Sequence, residues 1–139
     1  MRKWFMSQSP HRYEVERMRV RASAFLELAR EALRTENHDV SCFLSEQAAQ
    51  LHLKSVLLEA IGDYPRTHSV RNLLTEVSES YGGHGIDEFV RRNRTRLIAL
   101  EDAYIIARYT PATYTRDDAR DMIQMAEEII GVTGKGSEK

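Results

Sequence analysis

The stretch Asp39–Ile61, DVSCFLSEQAAQLHLKSVLLEAI, decides the fold of this chain. Its apolar residues recur every three or four positions, which indicates a helix, but they cover a wide arc of its surface. They are Val40, Phe43, Leu44, Ala48, Leu51, Leu57, Leu58 and Ile61. A helix that is apolar around so much of its surface is contacted on several sides, so we predict the central helix of a bundle. Asn37 or Asp39 suits its start, and Gly62 suits its end.

Four further segments have a helical pattern and lie on both sides of this stretch. The periodicity predicts helices over about 14–34, 69–81, 86–107 (with a break near 93) and 115–131. No segment keeps the period of two that is typical of strands. We therefore predict an all-α fold, an up-and-down antiparallel bundle of four long helices plus a short fifth, in a single domain 1–139. Its ordered core is expected over about 14–131, followed by a polar tail 132–139.

The composition narrows the class of protein but names no function. The 139 residues are 42% hydrophobic and 29% charged, which suits one compact domain. A net charge of −1 excludes a strongly basic protein. A single cysteine, Cys42, excludes an intramolecular disulfide and a zinc site built from several cysteines. Because the chain has no apolar run of about 18 residues and no signal-peptide pattern, we expect a cytoplasmic protein with no membrane span.

Three motifs in the middle of the chain together resemble a known family. They are Ser45–Leu58, SEQAAQLHLKSVLL; Thr67–Val70, THSV; and Arg108–Pro111, RYTP, ahead of a helix with an acidic start. The order and spacing of these motifs are similar to those of small prokaryotic HEPN proteins (higher eukaryotes and prokaryotes nucleotide-binding). The resemblance extends from about Glu14 to Gly131. Three positions depart from the family pattern, namely Gln50, Ser55 and Thr110.

The resemblance implies a helical bundle that forms a homodimer. It also implies a minimal nucleotidyltransferase partner in a toxin–antitoxin-like pair, and nucleotide or RNA as a ligand. The catalytic branch of the family cleaves RNA without metal through an Arg-(x4–6)-His motif. None of the five histidines here has an arginine at that spacing. The sequence therefore favours a non-catalytic protein without a cofactor. A toxin ribonuclease with a degenerate active site, or a plain protein-interaction module, remains an alternative.

Four residues are candidates for ligand binding: Lys54, His68, Arg108 and Tyr109. Lys54 lies two helical turns after Gln47, and a polar pair on a largely apolar stripe needs partners. Lys54 either pairs within the bundle or offers its charge to a ligand phosphate, with Gln47 in support. His68 and Arg108 are equally compatible with structural roles at helix ends.

Other polar residues are open to two interpretations. The basic run Arg91–Arg96 and the cluster of Arg17, Arg19 and Arg21 are either solvated helix faces or a phosphate-contacting surface. Tyr109 and Tyr114 flank the loop in which a partner transferase can adenylylate a HEPN tyrosine. The histidine, cysteine and acidic residues do not show the sequence spacing that is typical of a metal site.

A homodimer has a modest physical motive in the second helix. Phe43, Leu44 and Leu57 extend its apolar surface beyond one stripe. Apolar surface left exposed by the bundle would suit a partner.

Overall fold

The computed structural model describes residues 11–81, 84–109 and 113–137, and the part it describes consists of helices and connecting turns. The helices are α1 Arg12–Arg34, α2 His38–Ile61, α3 Val70–Tyr81, α4 His84–Arg92, α5 Arg94–Tyr109 and α6 Arg116–Ser137. The predicted all-α class is confirmed. None of the described helices is both long enough and apolar enough to span a membrane.

The central position predicted for α2 is confirmed, since it packs against α1, α3, α5 and α6. Cys42, Ala48, Leu53 and Leu57 are all fully buried. Ala48 lies on a different side of the helix from the other three, which follow one another at eleven- and four-residue spacing. Because Leu57 is completely buried, it cannot contribute to a homodimer interface, and its predicted place in the exposed apolar surface was wrong. Phe43 and Leu44 are half-buried and still reach the surface.

Local residue chemistry sets three helix ends as predicted. Ser69 Oγ accepts a hydrogen bond from the Asn72 backbone N–H at 3.1 Å, which caps the start of α3. Thr115 and Asp118 form a reciprocal capping box at the start of α6, with bonds of 2.9 and 3.1 Å. Gly62 ends α2 with φ at +81°, a backbone conformation that glycine adopts without a steric penalty.

Of two further boundaries, one agrees with the sequence prediction and the other differs from it. The predicted fourth helix is divided at Asn93 into α4 and α5, so the break anticipated there is complete. The final helix does not end at Gly131 but continues to Ser137, through the first part of the predicted tail. Thr133 explains the extension, because it is fully buried and its hydroxyl lies 2.9 Å from His52 Nε2 of α2. A buried contact of this kind stabilises a last turn whose composition suggests fraying.

Candidate functional site

A chain of hydrogen bonds follows one side of α2 and contains both members of the predicted polar pair. Gln47 Nε2 donates to Glu46 Oε1 at 2.8 Å, and Gln50 Nε2 donates to Glu46 Oε2 at 2.6 Å. Lys54 Nζ donates to Gln50 Oε1 at 3.1 Å. Gln47 and Lys54 therefore belong to one network, and a carboxylate that the sequence analysis overlooked lies at its inner end.

Glu46 is fully buried. Burial raises the pKa of its carboxyl group to about 7, although the bonds from Gln47 and Gln50 and the charge of Lys54 lower it. The sequence did contain a signal for this position. Glu46 falls between Cys42 and Ala49 at four- and three-residue spacing, on a stripe that is otherwise made of core residues.

Lys54 lies at the outer end of the network and is only partly buried. Its ammonium lies 5.6 Å from the centre of the Tyr64 ring, and Arg66 approaches the same ring at 5.1 Å. Desolvation lowers the pKa of Lys54; nearby Arg66 also lowers it, whereas Glu46 raises it. Within the described ranges Lys54 forms no direct ion pair with a carboxylate. A positive charge in this setting favours an anionic partner.

Two surface pockets lie between α1, α2 and the loop that follows α2. Because they share four lining residues, we name them the α1 lobe and the α2 lobe of one groove. The α1 lobe has a volume of about 440 Å³, and the α2 lobe about 360 Å³. The residues that line only the α1 lobe are His11, Glu14, Arg17, Met18, Leu58, Gly62 and Asp63. Those that line only the α2 lobe are Phe25, Gln47, Gln50 and Lys54. Arg21, Leu51, Tyr64 and Arg66 line both lobes and form the junction between them.

His68 belongs to a separate aromatic stack. Its ring lies 4.0 Å from the ring of Tyr104, and Tyr104 is 6.4 Å from Phe43. His68 lines neither lobe of the groove. Glu101, one turn before Tyr104, contributes through its charge to the raised pKa of Glu46.

Glu101 connects α5 to the start of α3 through hydrogen bonds. Its Oε2 accepts hydrogen bonds from Ser69 Oγ at 3.1 Å and from the Arg71 backbone N–H at 2.8 Å. The Arg71 guanidinium also forms two bonds with this carboxylate, at 2.9 and 3.1 Å. A carboxylate at a helix N-terminus is electrostatically favourable. The loop that carries His68 is therefore held in place from α5.

The remaining predicted site residues lie around the end of α5. The side chain of Arg108 falls outside the described part of the structure. Tyr109 is 65% exposed. Tyr114 is half-buried, and its backbone N–H donates to Asp39 Oδ1 at 3.0 Å. Burial and neighbouring acidic groups raise the pKa of Tyr114 to about 12, which disfavours the phenolate needed for modification.

Some arginines of the two basic segments form ion pairs with carboxylates, and others do not. Arg91 pairs with Glu88, and Arg96 pairs with Asp121 at 2.9 Å. Arg19 likewise pairs with Glu59 at 2.5 Å. Arg17 and Arg21 instead line the groove. Among the described residues no cluster of histidine, cysteine, aspartate and glutamate is arranged to hold a metal ion.

Comparison with known proteins identifies the family. The family model of the HEPN domain matches residues 15–136. The crystal structure of TT1696 from Thermus thermophilus is similar, with a TM-score of 0.73 and 25% identity over 88% of this chain and 97% of that chain. The structure of ST0689, an archaeal HEPN homologue, is similar at a TM-score of 0.63 and 26% identity over the same shares. No curated protein gives a significant match. The chain belongs to the HEPN domain family.

Proposed function

We propose that this protein is a non-catalytic HEPN homodimer that binds a nucleotide or RNA and works with a minimal nucleotidyltransferase in a toxin–antitoxin-like pair. The observation that carries the ligand proposal is the position of Lys54. Its ammonium group faces a groove that Arg17, Arg21 and Arg66 also line. Four cationic side chains around one concave surface favour a ligand that carries phosphate.

A change at Lys54 tests the ligand proposal. We expect Lys54→Gln to weaken binding of fluorescent ATP or single-stranded RNA by at least about tenfold, because a hydrogen bond to a charged group contributes roughly 1.5–3 kcal/mol. Glutamine can still bond to Gln50, so the melting temperature should change little. Fluorescence anisotropy at several salt concentrations measures the affinity, which should decrease steeply as salt increases.

Arg120→Gln is the matched control, because Arg120 is an exposed arginine on α6 that does not line the groove. Equal affinities for Lys54→Gln and the wild type would contradict the proposal. Absence of binding to ATP, GTP and RNA would favour a plain interaction module. RNA cleavage that Arg108→Ala abolishes would favour the degenerate ribonuclease instead.

Exposed apolar side chains support the homodimer and the partner. Val40, Ile105 and Tyr109 are 50%, 56% and 65% exposed, and a homodimer or a partner could cover apolar side chains of this kind. Coexpression with a transferase encoded beside this gene should give a complex with a dimer of this chain, as measured by sedimentation. We expect mass spectrometry to place any added nucleotide on Tyr109 rather than on the less exposed Tyr114.

The same coexpression experiment has clear negative outcomes. A monomer at micromolar concentration would exclude the homodimer, and failure to co-purify would exclude the transferase as a stable partner. Tyr109→Phe is the matched variant for the modification, since it removes only the hydroxyl group.

A further inference from the structure

The two lobes of the groove have similar chemistry. Both volumes, about 440 and 360 Å³, fall in the range of ligand pockets. The α1 lobe combines the apolar side chains of Met18 and Leu58 with the carboxylate of Glu14. The α2 lobe combines the Phe25 ring with the amide of Gln47. Each lobe therefore offers an apolar wall and a hydrogen-bonding group, which suits a nucleoside.

The junction between the lobes offers cations instead. Arg21 reaches it from α1, and Arg66 reaches it from the loop after α2. In residues 11–81, 84–109 and 113–137 neither guanidinium forms an ion pair with a carboxylate. Arg19, close by in sequence, is already paired with Glu59. Arginine binds phosphate through two parallel hydrogen bonds, so the junction is suited to a phosphate group.

The acidic residues of the groove do not neutralise the junction. Glu14 and Asp63 both line the α1 lobe. Glu14 Oε1 lies 3.2 Å from His11 Nδ1, and Asp63 Oδ1 accepts the Tyr64 backbone N–H at 2.8 Å. The four lysine and arginine side chains of the whole groove outnumber these two carboxylates. Positive charge is concentrated where the lobes meet.

We propose that the groove binds two nucleosides joined by a phosphodiester, with the phosphate at the junction and one nucleoside in each lobe. The inference rests on the proposed function and specifies its ligand. A dinucleotide step within an RNA strand and a free dinucleotide share this chemistry. The phosphate contacts Arg21 and Arg66, and the two lobes provide additional affinity because both nucleosides are held at once.

The test compares adenosine, AMP, the dinucleoside monophosphate ApA and a ten-nucleotide oligoadenylate by calorimetry. We expect ApA to bind at least about tenfold more tightly than AMP. Arg21→Gln and Arg66→Gln should each weaken ApA about tenfold and leave adenosine unchanged. Glu14→Gln in the α1 lobe and Gln47→Ala in the α2 lobe should both weaken the binding of ApA. Only one of the two variants, the one in the lobe that AMP occupies, should weaken the binding of AMP.

Exposed Arg116, which lies on α6 and does not line the groove, provides the control Arg116→Gln. The ten-nucleotide strand contains nine overlapping ApA steps, which alone raise its apparent affinity about tenfold. Oligoadenylate binding at least about a hundredfold more tightly than ApA would therefore identify the strand as the source, and a difference of about tenfold or less would identify the free dinucleotide. If AMP bound as tightly as ApA, the two-nucleoside inference would be overturned. The proposed function would still stand in that case, provided that Lys54→Gln weakened the binding of AMP. ApA binding unaffected by Arg21→Gln and Arg66→Gln would also overturn the two-nucleoside inference. No binding of any probe would overturn the proposed function as well.

Discussion

Replacement of Glu46 by glutamine is expected to raise the free energy of unfolding, relative to the wild type, by about 3 kcal/mol more at pH 8 than at pH 4. The buried carboxyl group has a pKa of about 7, raised from 4.5 chiefly by burial. Between these two values the folded protein keeps a proton that the unfolded chain has released. Stability therefore decreases as the pH rises from about 4.5 to 7, and glutamine, which stays neutral, removes that decrease.

Urea denaturation of both proteins between pH 4 and pH 8 measures the effect as a difference in free energy of unfolding. Glu79→Gln, on an exposed part of α3, is the matched control. A constant difference between Glu46→Gln and the wild type across this range would show that Glu46 does not titrate as the structure implies.

Replacement of His52 by glutamine is expected to have the opposite dependence on pH. Burial, with a smaller contribution from Arg19, lowers the pKa of His52 from 6.5 to about 4. Between these values the unfolded chain binds a proton that the folded protein excludes, so wild-type stability decreases as the pH falls. Relative to the wild type, His52→Gln should therefore gain about 2–3 kcal/mol on acidification from pH 8 to pH 4.

Comparing the two proteins at pH 8 and at pH 4 separates the effect of protonating His52 from any pH-independent loss of stability that the substitution causes. His52 Nε2 lies 2.9 Å from Thr133 Oγ1, which links α2 to α6, and glutamine retains a donor for that hydroxyl. His68→Gln, which removes an exposed imidazole, is the control. Identical pH profiles for His52→Gln and the wild type would rule out a desolvated neutral histidine at this position.

The effects of Glu46 and His52 partly cancel in the pH profile of wild-type stability. From about pH 4.5 to 6.5, Glu46 makes stability decrease with rising pH, whereas His52 makes it increase. Their contributions oppose each other over that range. Each single variant should reveal the slope of the group that remains.

The sequence was sufficient for the fold class because local patterns carried that information. The wide apolar arc of Asp39–Ile61 predicted a central helix, and Ser69, Gly62 and the pair Thr115–Asp118 marked helix ends through local bonds. It was insufficient at Gly131, where composition indicated an end. The buried hydroxyl of Thr133 depends on packing between α6 and α2, which no local pattern specifies.

The candidate site was only partly accessible from the sequence. Lys54 and Gln47 were recognised as a polar pair on an apolar stripe, and both line the α2 lobe. His68 was grouped with Lys54, yet its ring stacks on Tyr104 of α5. Arg21 and Arg66 are 45 positions apart and line one junction. Long-range proximity of this kind has no periodic signal.

The amino-acid sequence by itself determined the helical class, most helix ends and the family resemblance, since these depend on residue type, order and spacing within short segments. Only the tertiary structure decided the surroundings of each polar group. It buried Glu46 and desolvated His52, and it brought cationic side chains from α1, α2 and the loop after α2 to line one groove. Desolvation and the distances between charges are properties of packed helices, because both depend on residues far apart in the chain.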